Sequence, residues 1–151
     1  DKNTAMQVLS PYRSMYENEL SSNNSSLVIK LNYGETSLLF TGDIEHEVEE
    51  MLLENGADLE ADVLKAAHHG SDSSSIEGFI DSVNPAAVII SVGRNSFGHP
   101  SAEVLKRFED RGIPVYRTDM DGAVTVRSNG RTIKLLKHIR QDGDIWSYDY
   151  N

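Results

Sequence analysis

Residues that bind metal ions occur at three points where an apolar run of the chain ends. Asp43, the pair His68-His69 and His99 each follow such a run. In open α/β sheets, ligands bind in the crevice outside the carboxyl ends of the strands. Carboxylate oxygen and imidazole nitrogen suit Zn²⁺, Mn²⁺ or Fe. The pattern therefore indicates a divalent metal site at one edge of a sheet.

Each of these residues also has a purely structural interpretation. Asp43 could cap the helix that is predicted to begin at Ile44, because aspartate is common at that position. His68-His69 could be a surface pair at the end of a strand, and His99 could be a turn residue. Spacing alone leaves both interpretations open at all three points.

The elements that must position these residues are predicted from the periodicity of apolar residues. Alternation with period two predicts a strand at 27–33 with a hairpin partner at 36–40. Helical spacing predicts three amphipathic helices, at 44–55, 76–83 and 101–111. Further strands are predicted at 6–9, 63–67, 86–92, 114–116, 123–126 and 132–136, with a turn at Asn129-Gly130 before the last one. Strands that alternate with helices between terminal hairpins predict an α/β fold with a mixed β-sheet and about three helices.

Other polar clusters are interpreted as structural. The first helix should carry a solvated acidic face of Glu45, Glu47, Glu49 and Glu50. The serines after the histidine pair lack the pattern of a nucleophile elbow, so we expect helix capping from Ser71, Ser73, Ser74 and Ser75. Residues 119–122 lack the ligand spacing of a calcium loop and should form a turn. His46 and His138 are expected at the solvated surface.

Composition restricts the class of function. The chain has 151 residues and a formal net charge of −10, so we expect a single domain, 1–151, with an acidic surface. Such a surface repels phosphate backbones and disfavours broad nucleic-acid binding unless bound cations invert the local field. The sequence has no cysteine, which excludes a thiol nucleophile and a Cys-ligated zinc ribbon. No apolar stretch approaches the roughly 20 residues of a membrane span, so we expect no direct membrane insertion by this segment.

Five short segments occur in a specific order and spacing. They are Asn23-Asn24-Ser25-Ser26-Leu27-Val28, Thr41-Gly42-Asp43, Leu64-Lys65-Ala66-Ala67-His68-His69-Gly70-Ser71, Gly98-His99-Pro100, and Tyr116-Arg117-Thr118-Asp119 to Gly122-Ala123. Taken together, these segments resemble the metallo-β-lactamase-fold hydrolases. Within that family the chain is most similar to the branch that forms the soluble C-terminal domain of ComEC competence (DNA-uptake) proteins and their free-standing relatives. The resemblance covers roughly Met6 to Leu136.

The resemblance implies a fold and a metal site. Proteins of this family fold as an αβ/βα sandwich and hold two divalent ions, Zn or Mn here, in the groove between two β-sheets. Asp43 would then be the carboxylate that joins the two ions. The histidine pair would supply a later ligand, His69 rather than His68.

The resemblance also implies catalytic and substrate-binding roles. His99 would lie at the edge of the groove, where it would bind a phosphate oxygen or protonate a leaving group. His68 would contact phosphate or support the metal ligands. Lys65, Ser71 and Asn95 would contact the substrate.

The chain departs from this family in its first part. The signature His-x-His-x-Asp-His, which supplies most of the metal ligands, is absent, because no histidine precedes His46. We expect the chain, which begins at Asp1, to be the C-terminal half of a longer hydrolase; a metal-poor relative is the alternative. An isolated half would expose an apolar face, so we expect it to self-associate or to bind the missing N-terminal half.

The function expected from the resemblance is metal-dependent hydrolysis. A phosphodiesterase or nuclease of the ComEC type would act on a phosphodiester or nucleic acid during DNA uptake, and the isolated segment would be inactive. We expect an extracytoplasmic location, in a membrane-attached or secreted parent. Two alternatives stay open: a catalytically silent binding or structural module with the same fold, and a hydrolase of a phosphocholine or acyl ester.

Overall fold

A six-stranded mixed sheet forms the centre of the protein. The structure, a computed structural model, describes residues 3–11 and 21–138. The sheet has the strand order β1-β2-β3-β4-β5-β6. Its strands are β1 (Thr4–Ser10), β2 (Val28–Tyr33), β3 (Thr36–Phe40), β4 (Val63–Lys65), β5 (Ala87–Ile90) and β6 (Val115–Arg117). The first three strands pair antiparallel, and β3 to β6 pair parallel.

Three helices connect the parallel strands. They are α1 (His46–Glu54), α2 (Glu77–Val83) and α3 (Ala102–Glu109). Parallel neighbours need such crossover connections, because a short hairpin can join only antiparallel strands. The α/β fold with a mixed sheet and about three helices is thus confirmed for the described residues. Among them, no helix has the length and apolarity that crossing a membrane requires.

The core lies between one face of the sheet and the helices. Leu39, Leu64 and Val88 are partners in register on β3, β4 and β5, and all three are buried. Phe79 of α2 and Phe108 of α3 are the largest fully buried side chains. This layer fixes the carboxyl ends of β3, β4 and β5 at one edge of the sheet.

The opposite face of the sheet keeps exposed apolar side chains. Met6 and Val8 on β1 are 68% and 57% exposed, and Phe40 on β3 is 40% exposed. Met6 pairs with Leu31, and Val8 pairs with Ile29, which extends the apolar character onto β2. We call the face formed by Met6, Val8, Ile29, Leu31 and Phe40 the open face.

A two-stranded antiparallel sheet follows β6. A single helical turn, α4 (Thr118–Asp121), leads into β7 (Ala123–Ser128) and β8 (Ile133–His138). The Glu35 amide donates to the Gly130 carbonyl at 2.7 Å, which holds the β7–β8 turn against the β2–β3 turn. Gly34 has a φ of +60°, and a Cβ there would lie 2.3 Å from the Gly130 oxygen. This close approach requires glycine at position 34.

Most predicted elements are found, with shifted ends. The turn at Asn129-Gly130 is confirmed between β7 and β8, whereas most of residues 119–122 lie in the short helix α4 rather than in a plain turn. The strand predicted at 63–67 ends at Lys65, because the chain bends into the tight turn Ala67–Gly70.

Two structural interpretations were wrong. Glu49 is fully buried rather than solvated, because it faces the start of α2 instead of water. The serines do not cap α2 with their side chains, since the helix has no side-chain cap, and Glu49 accepts from the Ser75 and Ile76 amides just before it.

Candidate functional site

Asp43 lies in a tight turn that leaves β3. Its amide donates to Ser26 Oγ at 3.1 Å, and Thr41 Oγ1 donates to the Lys65 carbonyl of β4 at 2.7 Å. Gly42 has a φ of +56°, and a Cβ there would lie 2.6 Å from the Ser26 Cβ. Asp43 is not the residue that caps α1, which begins two residues beyond Ile44 and has Glu45 at its N-cap without a side-chain bond. The capping interpretation of Asp43 is therefore wrong.

The histidine pair occupies a strained turn after β4. His68 and His69 have φ values of +44° and +55°, a left-handed conformation that non-glycine residues rarely adopt. The His68 amide donates to the Gly42 carbonyl at 3.2 Å, which ties this turn to the Asp43 turn. Backbone strain of this kind persists only where the surrounding structure enforces it, and it is concentrated at functional sites.

His69 faces Asp43 with one ring nitrogen. Its Nε2 lies 3.7 Å from Asp43 Oδ1, and its Nδ1 lies 2.6 Å from the Ser91 carbonyl. A carbonyl only accepts, so Nδ1 carries a hydrogen, and in a neutral imidazole Nε2 is then the nitrogen with the lone pair. Histidine ligands of metals are oriented in this way by a carbonyl partner.

The separation of these two groups is close to that of two ligand atoms on one divalent cation. Two ligand atoms on one tetrahedral zinc ion are about 3.3–3.5 Å apart, given zinc bonds of about 2.0–2.2 Å. The observed separation between Asp43 Oδ1 and His69 Nε2 is 3.7 Å, and both side chains are partly exposed. Within residues 3–11 and 21–138, however, no group of three or more His, Asp or Glu could hold an ion. The described residues supply two ligands, fewer than the three or four of a usual zinc site.

His68 lies beside this pair but faces other partners. Its Nδ1 lies 3.3 Å from Ser73 Oγ and 3.5 Å from Glu45 Oε1. Its Nε2 lies 3.5 Å from the side-chain amide nitrogen of Asn23, Nδ2. Because Ser73 Oγ donates to Glu45 at 3.1 Å, it accepts from His68. Both ring nitrogens are thus engaged by the protein, whereas His69 has one free to face the carboxylate.

His99 completes a line of three rings. Its ring centroid is 5.6 Å from that of His68, and the His68 centroid is 6.4 Å from that of His69. Gly70 brings the two loops together, because a Cβ there would lie 2.6 Å from the Pro100 Cβ. The structure brings Asp43, His68, His69 and His99 close together, and their roles stay predictions; we call these four residues the strand-end site.

The other two histidines lie outside the strand-end site. His46 is exposed on α1, as predicted. His138 is less exposed than predicted and lies 3.0 Å from Thr125 Oγ1 in the β7–β8 sheet.

Lys65 lies next to the strand-end site at the end of β4. Its ammonium donates to the Gly42 carbonyl at 3.2 Å. Burial lowers the pKa of Lys65, and the nearby Asp43 carboxylate opposes this effect. Its contact with a substrate stays a prediction.

Ser71 and Asn95 make their hydrogen bonds inside the protein. Ser71 is buried, with its hydroxyl 3.0 Å from Ser73 Oγ. The Asn95 amide nitrogen donates to the Gly93 and His99 carbonyls at 2.9 and 2.8 Å, and its oxygen accepts from the Phe97 and His99 amides at 3.0 and 3.1 Å. These bonds shape the loop that carries His99, and direct substrate contact by Ser71 and Asn95 stays a prediction.

Glu49 and Arg107 hold the loop that follows the histidine pair, whereas the sequence pattern predicted a solvated position for Glu49 and no role for Arg107. The Glu49 carboxylate accepts from the Ser75 and Ile76 amides at 2.7 and 2.8 Å, and burial raises the pKa of Glu49 to about 7. Arg107 donates to the Ser74 and Ser75 carbonyls at 3.0 and 2.9 Å. Local sequence periodicity does not predict these contacts, because they join α1 and α3 to a loop about 30 residues away.

Phe97 is the other residue that the sequence analysis passed over. Its side chain is 80% exposed, and its ring stacks on that of His99, with centroids 6.0 Å apart and planes 22° from parallel. The sequence feature that could have indicated a binding role for Phe97 is an aromatic residue within a polar loop, Gly93 to His99.

The amino-acid sequence of the chain was compared with those of known proteins. No protein-family model matches the chain. It is 39% identical over 131 residues, 86% of its length, to ComE operon protein 3 of Bacillus subtilis. It is 38% identical to Competence protein ComA of Neisseria gonorrhoeae over 68% of its length, and 34% identical to Recombination protein 2 of Haemophilus influenzae over 80%. The chain spans 15–16% of the length of these relatives. It is therefore homologous to a short segment of much larger competence proteins.

Proposed function

We propose that this chain is part of a metal-dependent phosphodiesterase of the ComEC type that acts on DNA during uptake. The observation that carries the proposal is the Asp43–His69 pair, in which a carboxylate oxygen and the Nε2 ring nitrogen lie 3.7 Å apart while Nδ1 is bonded to the Ser91 carbonyl. The names of the relatives, which refer to competence and recombination, favour DNA as the substrate.

Asp43 and His69 are the described residues that would hold divalent ions, Zn or Mn. Such ions lower the pKa of a bound water and neutralise a scissile phosphate. They would also create local positive potential in a chain whose formal net charge is −10. This charge effect removes the objection that an acidic protein repels nucleic acid.

The remaining residues of the site have roles that suit phosphate chemistry. His99 would bind a phosphate oxygen and protonate the leaving group, and His68, whose ring centroid is 5.6 Å away and whose nitrogens bond within the protein, would support the site. Lys65 would add a positive charge beside Asp43. We propose a location outside the cytoplasm, where incoming DNA would meet this site first.

A further segment is needed to complete the metal site. Two ligands are fewer than a catalytic metal site usually has, and the open face leaves Met6 and Val8 largely exposed. We propose that a second sheet with the His-x-His-x-Asp-His signature covers the open face and supplies the missing ligands. Together the two parts would form an αβ/βα sandwich.

The test is phosphodiesterase activity of a longer protein that carries both segments. Bis-p-nitrophenyl phosphate and single-stranded DNA are the substrates, with added Mn²⁺ or Zn²⁺. The Asp43→Ala variant should lose activity by at least about 10²-fold, because it loses a ligand to the ions that drive the reaction. Asp110→Ala, which removes an exposed carboxylate at the end of α3, is the matched control and should retain activity. Undiminished turnover in Asp43→Ala would overturn the assignment.

One observation favours a second candidate, a catalytically silent module. The part of the chain that the structure describes has no cluster of three metal ligands. This candidate predicts no metal in the longer protein and no effect of Asp43→Ala or His69→Ala on its function. Elemental analysis of the purified longer protein separates the two candidates. Hydrolysis of a phosphocholine or acyl ester is tested with the same variants by exchanging the substrate.

A further inference from the structure

An exposed aromatic ring stands at the mouth of a cavity beside the strand-end site. Phe97 is the most exposed of the large apolar side chains in the described residues, at 80%. A cavity of about 430 Å³ lies between its loop and the site, lined by His69, Ser91, Val92, Gly93, Arg94, Asn95, Phe97 and His99. One wall of this cavity is therefore aromatic, and another belongs to a candidate metal ligand.

The position of Phe97 is held by its loop. The Asn95 side chain accepts from the Phe97 amide at 3.0 Å and also binds the His99 backbone, so the two aromatic residues are fixed relative to each other. The Phe97 ring then stacks on His99, with centroids 6.0 Å apart. One ring face lies against His99, and the high exposure leaves the other face to solvent.

The exposure of Phe97 has no structural benefit within the described residues. Hydrophobic stabilisation comes from apolar area removed from water, and a ring that is 80% exposed contributes little of it. Arg94, in the same loop and also lining the cavity, adds a positive charge in an acidic chain. An aromatic face next to a guanidinium is the combination that binds unpaired bases and the phosphates between them.

We propose that Phe97 is the stacking platform for an unpaired base of single-stranded DNA, the phosphate of which is held at the strand-end site. The proposal rests on the proposed function and specifies its substrate as single-stranded. In a duplex each base is already stacked and paired, so its face is not available to Phe97. Arg94 binds a neighbouring phosphate of the same strand.

The test measures binding rather than hydrolysis, and Zn²⁺ is present throughout, because the strand-end site would hold the phosphate through bound ions. The 151-residue chain is titrated by NMR, which covers millimolar affinities, with a thymidine octamer, an abasic octamer with the same phosphates, and an eight-base-pair duplex. The thymidine octamer should bind most tightly, and its base protons should shift upfield because they lie over an aromatic ring. Phe97→Ala should weaken its binding about 5- to 150-fold, the range for one stacked base, and change abasic binding little.

Two further variants control the interpretation. Phe97→Trp should bind the thymidine octamer at least as well as the wild type, because it keeps a stacking surface. Arg94→Gln should weaken both octamers, because both carry phosphates. Equal effects of Phe97→Ala on the two octamers, no effect on either, or no binding of the thymidine octamer by the chain would each overturn the proposal.

The outcome is separable from that of the proposed function. Loss of thymidine binding in Phe97→Ala, together with full hydrolysis by Asp43→Ala in the longer protein, would leave stacking established and the metal-dependent reaction rejected. Unchanged thymidine binding in Phe97→Ala, together with loss of hydrolysis in Asp43→Ala, would reject stacking alone.

Discussion

The Nε2 atom of His69 faces the Asp43 carboxylate across a gap of 3.7 Å. The other ring nitrogen, Nδ1, donates its hydrogen to the Ser91 carbonyl at 2.6 Å. In a neutral His69 ring, Nε2 is therefore the atom that can bind a cation together with the carboxylate.

Zinc affinity should depend on both members of the pair. Asp43→Ala and His69→Ala should each weaken Zn²⁺ binding to the chain by at least about tenfold, because each removes one of the two ligand atoms. Isothermal titration calorimetry measures the affinity. His46→Ala removes an exposed histidine of α1 and should leave it unchanged. Equal affinities in all three variants would show that zinc binds elsewhere.

The free energy of unfolding should decrease as pH rises, because of Glu49. Burial raises the pKa of Glu49 to about 7 from 4.5, against the smaller opposing effects of the Ser75 and Ile76 amides, Arg107 and His46. The folded protein therefore holds a proton that the unfolded chain releases, and the stabilisation present below pH 4.5 is lost as pH rises through 7.

The Glu49→Gln variant tests this assignment. Its free energy of unfolding in urea should lack the decrease, on the order of 2–3 kcal/mol, that the wild type shows between about pH 4.5 and 7.5. Glu50→Gln, an exposed neighbour on α1, is the control and should keep the wild-type pH dependence. Parallel pH profiles for the wild type and Glu49→Gln would contradict the assignment.

Arg107 should contribute more stability than its neighbour Lys106. Arg107→Met leaves the Ser74 and Ser75 carbonyls without their donor, which should lower the free energy of unfolding by about 1–3 kcal/mol. Lys106 forms an exposed pair with Asp110, so Lys106→Met should cost less than about 1 kcal/mol. Urea unfolding compares the two, and equal losses would mean that the Arg107 bonds do not hold the loop.

The contact between the two histidine loops can be isolated with a pair of glycine variants. Gly70 and Gly56 both have positive φ values, +80° and +63°, so alanine is strained at either position. Only at Gly70 would the new Cβ meet another residue, Pro100 Cβ at 2.6 Å, whereas nothing lies within 4 Å at Gly56.

Gly70→Ala should therefore lower the melting temperature more than Gly56→Ala does. The Gly56 variant carries the backbone strain alone, about 1–2 kcal/mol, and differential scanning calorimetry measures the excess at Gly70. Gly70→Ala should also weaken zinc binding, because it displaces the turn that carries His69. Identical losses in the two variants would indicate that the loops do not depend on this contact.

The sequence by itself determined the elements and the end of the sheet where chemistry is concentrated. Alternation in Leu27 to Tyr33 predicted β2, and the apolar spacing around Phe79 predicted α2, because burial of one face imposes a fixed period on any strand or helix. Asp43, His68 and His99 were assigned to strand ends for the same local reason.

Only the tertiary structure decided which atoms meet and how they are oriented. The left-handed backbone of His68 and His69, the Ser91 carbonyl that directs the His69 ring, and the burial of Glu49 all depend on residues distant in the sequence. Local periodicity carries no information on such contacts, because it reports which side of an element is apolar and not what lies opposite. The exposed ring of Phe97 was likewise set by the fold of its loop, in which the Asn95 side chain fixes the backbone.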